Sequence, residues 1–106
     1  MRRRVVYELR VRETILIVLA EESIPVPADS LRGLMLQLRP VPGTLSARTK
    51  IERALAANAE VISFDRYEKM ALLDALNAWM NTGGLHALGP ALADVRGALE
   101  YELGIA

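Results

Sequence analysis

The stretch DRYEKMALLDALNAWM, residues 65–80, carries the clearest helical pattern in the sequence and its only tryptophan, Trp79. Asp65 and Glu68 stand at the spacing of a capping box, in which each side chain accepts a hydrogen bond from the other residue's backbone N–H. At 3.6 residues per turn, five apolar side chains share one side of the helix: Leu72, Leu73, Leu76, Trp79 and Met80. We therefore predict a helix over this stretch, ended by the glycine pair that follows, with its apolar side in the core.

Length and composition predict a single helix-rich domain over residues 1–106. A chain of 106 residues can bury one core without metal or disulfide support, and 52% of these residues are hydrophobic. Aromatic residues make up only 5%, so we expect an aliphatic core of the kind that packed helices form. The absence of cysteine excludes disulfides, thiolate catalysis and cysteine-based metal sites.

No apolar run approaches the roughly 20 residues that a membrane-spanning helix needs. Three arginines follow Met1 as in a signal peptide, but charged residues interrupt what comes next, and the apolar run 15–20 is short for such a peptide. We expect a cytoplasmic protein without membrane contact. Net charge is zero, yet residues 1–53 carry a balance of +4 and residues 54–106 a balance of −4.

The amino-terminal part of the sequence carries two successive patterns. Residues 4–12 alternate between apolar and charged side chains, which predicts a half-buried strand. Residues 13–20 fit either a buried strand or the buried side of a helix. Their β-branched residues favour a strand, whereas the lack of Gly or Asn at Arg12 and Glu13 disfavours a tight hairpin. We favour a short strand followed by a helix from about Glu13 to Glu22.

The remaining segments predict a fold that is mainly α, or α+β with minor β content. Residues 24–27 hold two prolines and should form an extended spacer. Further helices are predicted from Asp29 or Ser30 to Leu38, from Thr44 or Ser46 to about Asn58, and from Pro90 to Leu103. A short strand is predicted near residues 61–64. Together these elements make a compact bundle of about four to five helices.

No convergent set of reactive side chains is visible. The only histidine, His86, has no metal-ligand spacing around it, and no glycine-rich phosphate motif is present. The acidic pairs Glu21 with Glu22 and Glu100 with Glu102 would each diverge on a helix. We therefore expect no enzyme activity, no cofactor and no metal.

One alternative comes from the order of the predicted elements. Three helices at 13–22, 30–38 and 46–58, followed by a strand, match the order of a winged helix-turn-helix. Arg48, Lys50 and Arg53 would then be the nucleic-acid contacts of a DNA-binding regulator that uses the 46–58 helix. The neutral charge and the long connection between the second and third helices disfavour this reading.

The favoured interpretation is a non-catalytic interaction or regulatory protein that acts through self-association or a protein partner. We expect a homo-oligomer, most simply a dimer, formed by the carboxy-terminal helical hairpin. Two surfaces are candidates for the interface. One is the side of the first helix that carries Tyr67, Ala71 and Ala78, and the other surrounds Gly97 and Ala98, where a neighbouring backbone could approach closely.

Overall fold

The computed structural model describes residues 13–105, except for the side chain of Leu85. The strand predicted at residues 4–12 lies outside the described residues. The strands are β1 (Thr14–Val18), β2 (Ser23–Pro27) and β3 (Val61–Ser63). The helices are α1 (Ala28–Gln37), α2 (Leu45–Ala56), α3 (Arg66–Gly83) and α4 (Gly89–Glu102), with a 3-10 turn at Leu85–Ala87. The described part is thus a compact α+β fold with four α-helices and a small sheet.

The three strands form one sheet in the order β2-β1-β3. β1 pairs with β2 in antiparallel register, with Leu16 opposite Pro25, and with β3 in parallel register, with Leu16 opposite Val61. The backbone N–H of Leu16 also donates to the carbonyl of Glu60 at 2.9 Å, which leads into β3. Alternate residues of all three strands point into the core, where the helices cover them.

The helix predicted from Glu13 to Glu22 is wrong, because this segment forms β1 and a turn into β2. Its apolar run forms a central strand, because β1 buries Ile15 and Ile17 on one face and pairs with β2 on one edge and with β3 on the other. The turn needs no glycine, since none of its residues 19–22 has a positive φ, and the N–H of Leu19 donates to the carbonyl of Glu22 at 2.8 Å. The predicted spacer at 24–27 is extended, but it is the edge strand β2 rather than a linker, consistent with the proline tolerance of edge strands.

The later elements agree with their sequence signals, except at the start of α1. Asp65 and Glu68 form the predicted capping box, with both N–H to carboxylate distances at 2.8 Å. α3 continues to Gly83, and Gly84 ends it at a φ of 81°, a conformation that glycine adopts without steric cost. α2 follows Thr44, and α4 carries a proline in its first turn as predicted. α1 begins after Pro27, so neither Asp29 nor Ser30 is its N-cap.

The core is aliphatic and lies between the inner sheet face and the helices. Its largest fully buried side chains come from every layer: Ile15, Ile17, Val26, Leu31, Leu34, Leu38, Ile51, Leu72, Leu76, Leu92, Val95 and Leu99. Trp79 is half-buried, and its ring lies so close to Gly33 of α1 that an added Cβ there would come within 2.8 Å of Cη2. The tryptophan therefore sits where α3 crosses α1 at a glycine.

Candidate interaction surfaces

Two of the three cations proposed as nucleic-acid contacts are held by the protein itself. Arg48 Nη1 donates to the carbonyls of Leu38 at 2.8 Å and Met35 at 3.3 Å, which closes the carboxyl end of α1. Lys50 donates to the carbonyl of Ser63 at 3.2 Å, and its Nζ lies 5.9 Å from the Phe64 ring centroid. Both side chains therefore bind neighbouring elements of the fold, although the Lys50 side chain remains 43% exposed.

Arg53 is exposed in the last turn of α2. The structure does not bring it together with Arg48 and Lys50 in one outward-facing cluster, because those two turn toward α1, β3 and α3. The element order also differs from the winged-helix expectation, since β1 and β2 occupy the place of its first helix. The geometric support for the nucleic-acid alternative is correspondingly reduced.

Glu68 is the buried charged residue of the described core, at 4% exposure. One carboxylate oxygen accepts from Lys50 Nζ at 2.7 Å and from the Asp65 N–H, and the other accepts from the Ser46 hydroxyl. Burial by itself would raise the pKa of this carboxyl, but the hydrogen bonds and the lysine charge outweigh it and hold the pKa below 4.5. The cluster is fully partnered, which indicates a structural role that joins α2 to the start of α3.

The other candidate reactive residues do not converge. His86 is exposed in the 3-10 turn, beside Gly89, Pro90 and Ala93 of the next helix. Within residues 13–105, no three His, Asp or Glu side chains are grouped closely enough to hold a metal ion. The described geometry thus supplies no arrangement from which a catalytic mechanism could be derived.

The outward side of α4 is the most distinctive surface of the described chain. Four exposed residues occupy it, namely Pro90, Asp94, Gly97 and Tyr101, with the half-buried Ala93, Ala98 and Glu100 at its borders. Only Asp94 among the four exposed residues is charged, although the helix faces solvent. We call this set the α4 outer face. Tyr101 is 72% exposed, so a large aromatic ring extends from it into solvent.

A groove of about 380 Å³ runs along one border of the α4 outer face. One wall comes from the β1–β2 turn and the other from α4. The lining residues are Leu19, Glu21 and Glu22 of the turn and Gly97, Ala98, Tyr101 and Glu102 of α4. Glu102 stands at its end, where it accepts a hydrogen bond from the Ala20 N–H at 2.9 Å and forms an ion pair with Lys69. The groove is apolar at its base and acidic at its rim.

The Glu102 carboxylate ties three elements together at this groove. It lies on α4, while Lys69 comes from α3 and Ala20 from the β1–β2 turn. Burial would raise the pKa of the carboxyl, but the hydrogen bonds from Lys69 and Ala20, with the charges of Lys69 and Arg66, hold it below its ordinary value. The wall of the groove is therefore fixed in place by a partly buried ion pair.

The two predicted interface surfaces differ in the structure. On α3, Tyr67 is 80% exposed and Ala78 is exposed, but Ala71 is buried in the core, so this side is interrupted. On α4, Gly97 is exposed and Ala98 half-buried, as an approachable backbone requires.

Sequence reasoning missed the rest of this surface. Tyr101 could have been found, because it follows Gly97 by four residues and shares its side of a helix. The wall formed by Leu19, Glu21 and Glu22 could not have been found, since those residues were predicted to lie in a helix at 13–22. Its acidic rim depends on a turn that packs against the distant carboxy-terminal helix.

Comparisons with protein-family models, with curated proteins and with solved structures find no match to this chain. No helix within residues 13–105 is both long and apolar enough to cross a membrane.

Proposed function

We propose that this protein is a non-catalytic interaction module that self-associates through the α4 outer face. The observation that carries the proposal is Gly97, an exposed glycine in the interior of α4. Its φ is not positive, and a Cβ added to it would meet no atom within 4 Å. The described chain therefore gives no conformational or packing reason for glycine at this position.

Glycine in a helix interior is unfavourable by about 0.5–1 kcal/mol relative to alanine. At Gly33 this cost is offset inside the fold, because the absence of a side chain lets the ring of Trp79 pack against α1. Gly97 has no such neighbour. A helix from a second copy, packed closely over Gly97, would supply one, since small residues allow two helix backbones to approach each other.

The composition of the α4 outer face supports the same proposal. A solvent-facing helix side is normally rich in charged residues, as on α2, where Glu52 and Arg53 are exposed. The exposed residues of the α4 outer face carry one charge, that of Asp94, and include a tyrosine, and tyrosine is enriched in protein interfaces. A two-fold pair is the simplest closed assembly that would cover it.

Matched alanine-to-glutamate variants test the interface. Ala98→Glu places a carboxylate at the border of the α4 outer face, whereas Ala56→Glu places one at an exposed position of α2. Sedimentation equilibrium should show a dimer dissociation constant at least about tenfold higher for Ala98→Glu than for the parent, a change of about 1.4 kcal/mol. The dissociation constant of Ala56→Glu should equal that of the parent. Circular dichroism checks that both variants are folded. Equal masses for the parent and Ala98→Glu would contradict the proposed interface.

DNA binding is the alternative function, and its test is separate. Phosphate contacts release counterions, so binding through Arg53 and its neighbours would weaken steeply with salt. Anisotropy titration of mixed genomic fragments at low salt, with Arg53→Ala beside the parent, measures this directly. We expect no salt-dependent binding, because Arg48 and Lys50 are held within the fold.

A further inference from the structure

The groove beside the α4 outer face has an acidic rim whose charge the described chain leaves unpaired. Glu21 and Glu22 are both exposed at the β1–β2 turn, where they line the groove. Within residues 13–105, no basic side chain forms an ion pair with either of them. An exposed pair of carboxylates without a cation attracts positive charge from outside. The rim therefore carries negative charge that a bound partner would neutralise.

The cations of the neighbouring helices are bound elsewhere. Lys69 of α3 forms its ion pair with Glu102, and Arg96 of α4 forms one with Glu100. Arg66 also lies close enough to Glu102 to help lower the pKa of that carboxyl. The charge of Glu102 is thus balanced within the fold, and the unbalanced negative charge of the groove is concentrated at the β1–β2 turn.

The floor of the groove is apolar and open. Leu19 is almost wholly buried, Gly97 has no side chain and Ala98 has a short one. A Cβ added at Gly97 would meet no atom within 4 Å. The floor therefore offers apolar contact and free space, which suits an apolar side chain of a partner.

Tyr101 adds an aromatic ring to the acidic groove. It is 72% exposed and lines the same groove as Glu21 and Glu22. The planar guanidinium of arginine forms two parallel hydrogen bonds with a carboxylate and also stacks on aromatic rings, whereas the lysine ammonium is a compact point charge. Carboxylates and an exposed tyrosine in one groove therefore favour arginine as the neutralising cation.

The size of the groove limits the length of the partner segment. Its volume of about 380 Å³ lies near the lower end of the range of about 300–1,000 Å³ for ligand pockets. A volume of this size holds a few side chains, whereas a globular partner needs about 800 Å² of surface.

We propose that the groove binds a short segment of a partner protein in which an arginine is flanked by apolar residues. The guanidinium binds the carboxylates of Glu21 and Glu22 beside the ring of Tyr101, and an apolar neighbour lies over Gly97. This function goes beyond self-association. Because both would use Gly97 and Tyr101, the segment and a second copy compete for this surface.

Thermophoresis with the fluorophore-labelled full-length protein tests the proposal. The protein is held at about 50 nM, where a dimer with a micromolar dissociation constant is dissociated. The probes are the peptide acetyl-Ala-Leu-Arg-Leu-Ala-amide, its versions with lysine or glutamine at the centre, and arginine amide alone. The double variant Glu21→Gln, Glu22→Gln removes the acidic rim. The control Glu13→Gln, Glu52→Gln removes two exposed carboxylates that do not line the groove.

The parent should bind the arginine peptide saturably and should not bind the glutamine peptide. Loss of the rim should raise the dissociation constant at least about tenfold, because hydrogen bonds to charged groups are lost, whereas the control should stay within about twofold of the parent. Circular dichroism checks folding. Tyr101→Ser is a second variant that should also weaken binding, should the turn variant fail to fold.

No saturable binding of the arginine peptide to the parent at up to about 1 mM would overturn the proposal, as would equal binding to the parent and to the rim variant. Arginine amide that binds as tightly as the peptide would overturn the assignment to a protein segment. Equal binding of the lysine peptide would overturn the assignment to arginine. None of these results changes the mass measured by sedimentation, so failure of this proposal is distinguishable from failure of self-association.

Discussion

At the scale of single residues, Glu68 shows how one buried charge can hold two helices together. Its carboxylate accepts from Ser46 and Lys50 of α2 and caps the first turn of α3 through the N–H of Asp65. Removing one partner of a buried, hydrogen-bonded charge leaves the others unsatisfied. Protonation of Glu68 would therefore remove the ion pair that joins α2 to the start of α3.

Glu68→Gln should lower the free energy of unfolding at pH 7 by about 1–3 kcal/mol, because the amide cannot replace the ion pair with Lys50. The pKa of the folded carboxyl lies below 4.5, so its stabilisation is complete above that value and is lost as the pH falls through the lowered pKa. Urea titrations from pH 7 to pH 3 should show a smaller loss of unfolding free energy in Glu68→Gln than in the parent. Glu52→Gln, at an exposed position of α2, serves as the control and should follow the parent curve.

The two helix glycines Gly33 and Gly97 provide a matched pair of substitutions. Both gain helix propensity on change to alanine, so that contribution cancels in the comparison. Gly33→Ala must displace the ring of Trp79, and Gly97→Ala meets open space. We expect Gly33→Ala to be less stable than Gly97→Ala by about 1–3 kcal/mol in thermal melts at low protein concentration. Equal melting temperatures would show that the contact between Trp79 and Gly33 does not determine how closely α1 packs against α3.

At the scale of elements, the ion pair of Lys69 and Glu102 joins α3, α4 and the β1–β2 turn. Glu102→Gln should reduce stability by about 1–2 kcal/mol, an amount discounted for its partial exposure. Hydrogen exchange of the Ala20 N–H, which donates to this carboxylate, should accelerate in the variant. Glu100→Gln removes a carboxylate of the same helix and should leave the exchange of Ala20 unchanged.

Local signals in the sequence specified the helices well. The capping box of α3, the glycine that ends it and the proline of α4 are each encoded within a few residues. The strand near residues 61–64 is confirmed as β3. These elements were predictable because their chemistry is contained in one or two turns of chain.

The sheet was not predictable in the same way. A run of apolar residues buried on one face reads equally as strand or helix, and what decides it is pairing with β2 and with β3, which lies more distant in the chain. The error at residues 13–22 also concealed the groove beside α4, because its second wall is the β1–β2 turn. The inward orientation of Arg48 and Lys50 depends on the packing of helix ends and was equally hidden from the sequence pattern.

At the scale of the whole molecule, two surfaces of residues 13–105 expose few charged side chains. The outward side of the sheet around Leu16 and Val61 is small and apolar, whereas the α4 outer face combines Gly97 with Tyr101 beside an acid-rimmed groove. The α4 outer face is the one suited to a second copy, because a helix pair that crosses at a glycine brings two extended surfaces together.

Self-association through α4 sets the mass of the parent protein in solution. Light scattering coupled to size exclusion should give twice the chain mass of 11.7 kDa at about 100 μM protein, with dissociation on dilution, as expected for a dissociation constant in the micromolar range. A mass of 11.7 kDa that persists at about 100 μM would contradict self-association.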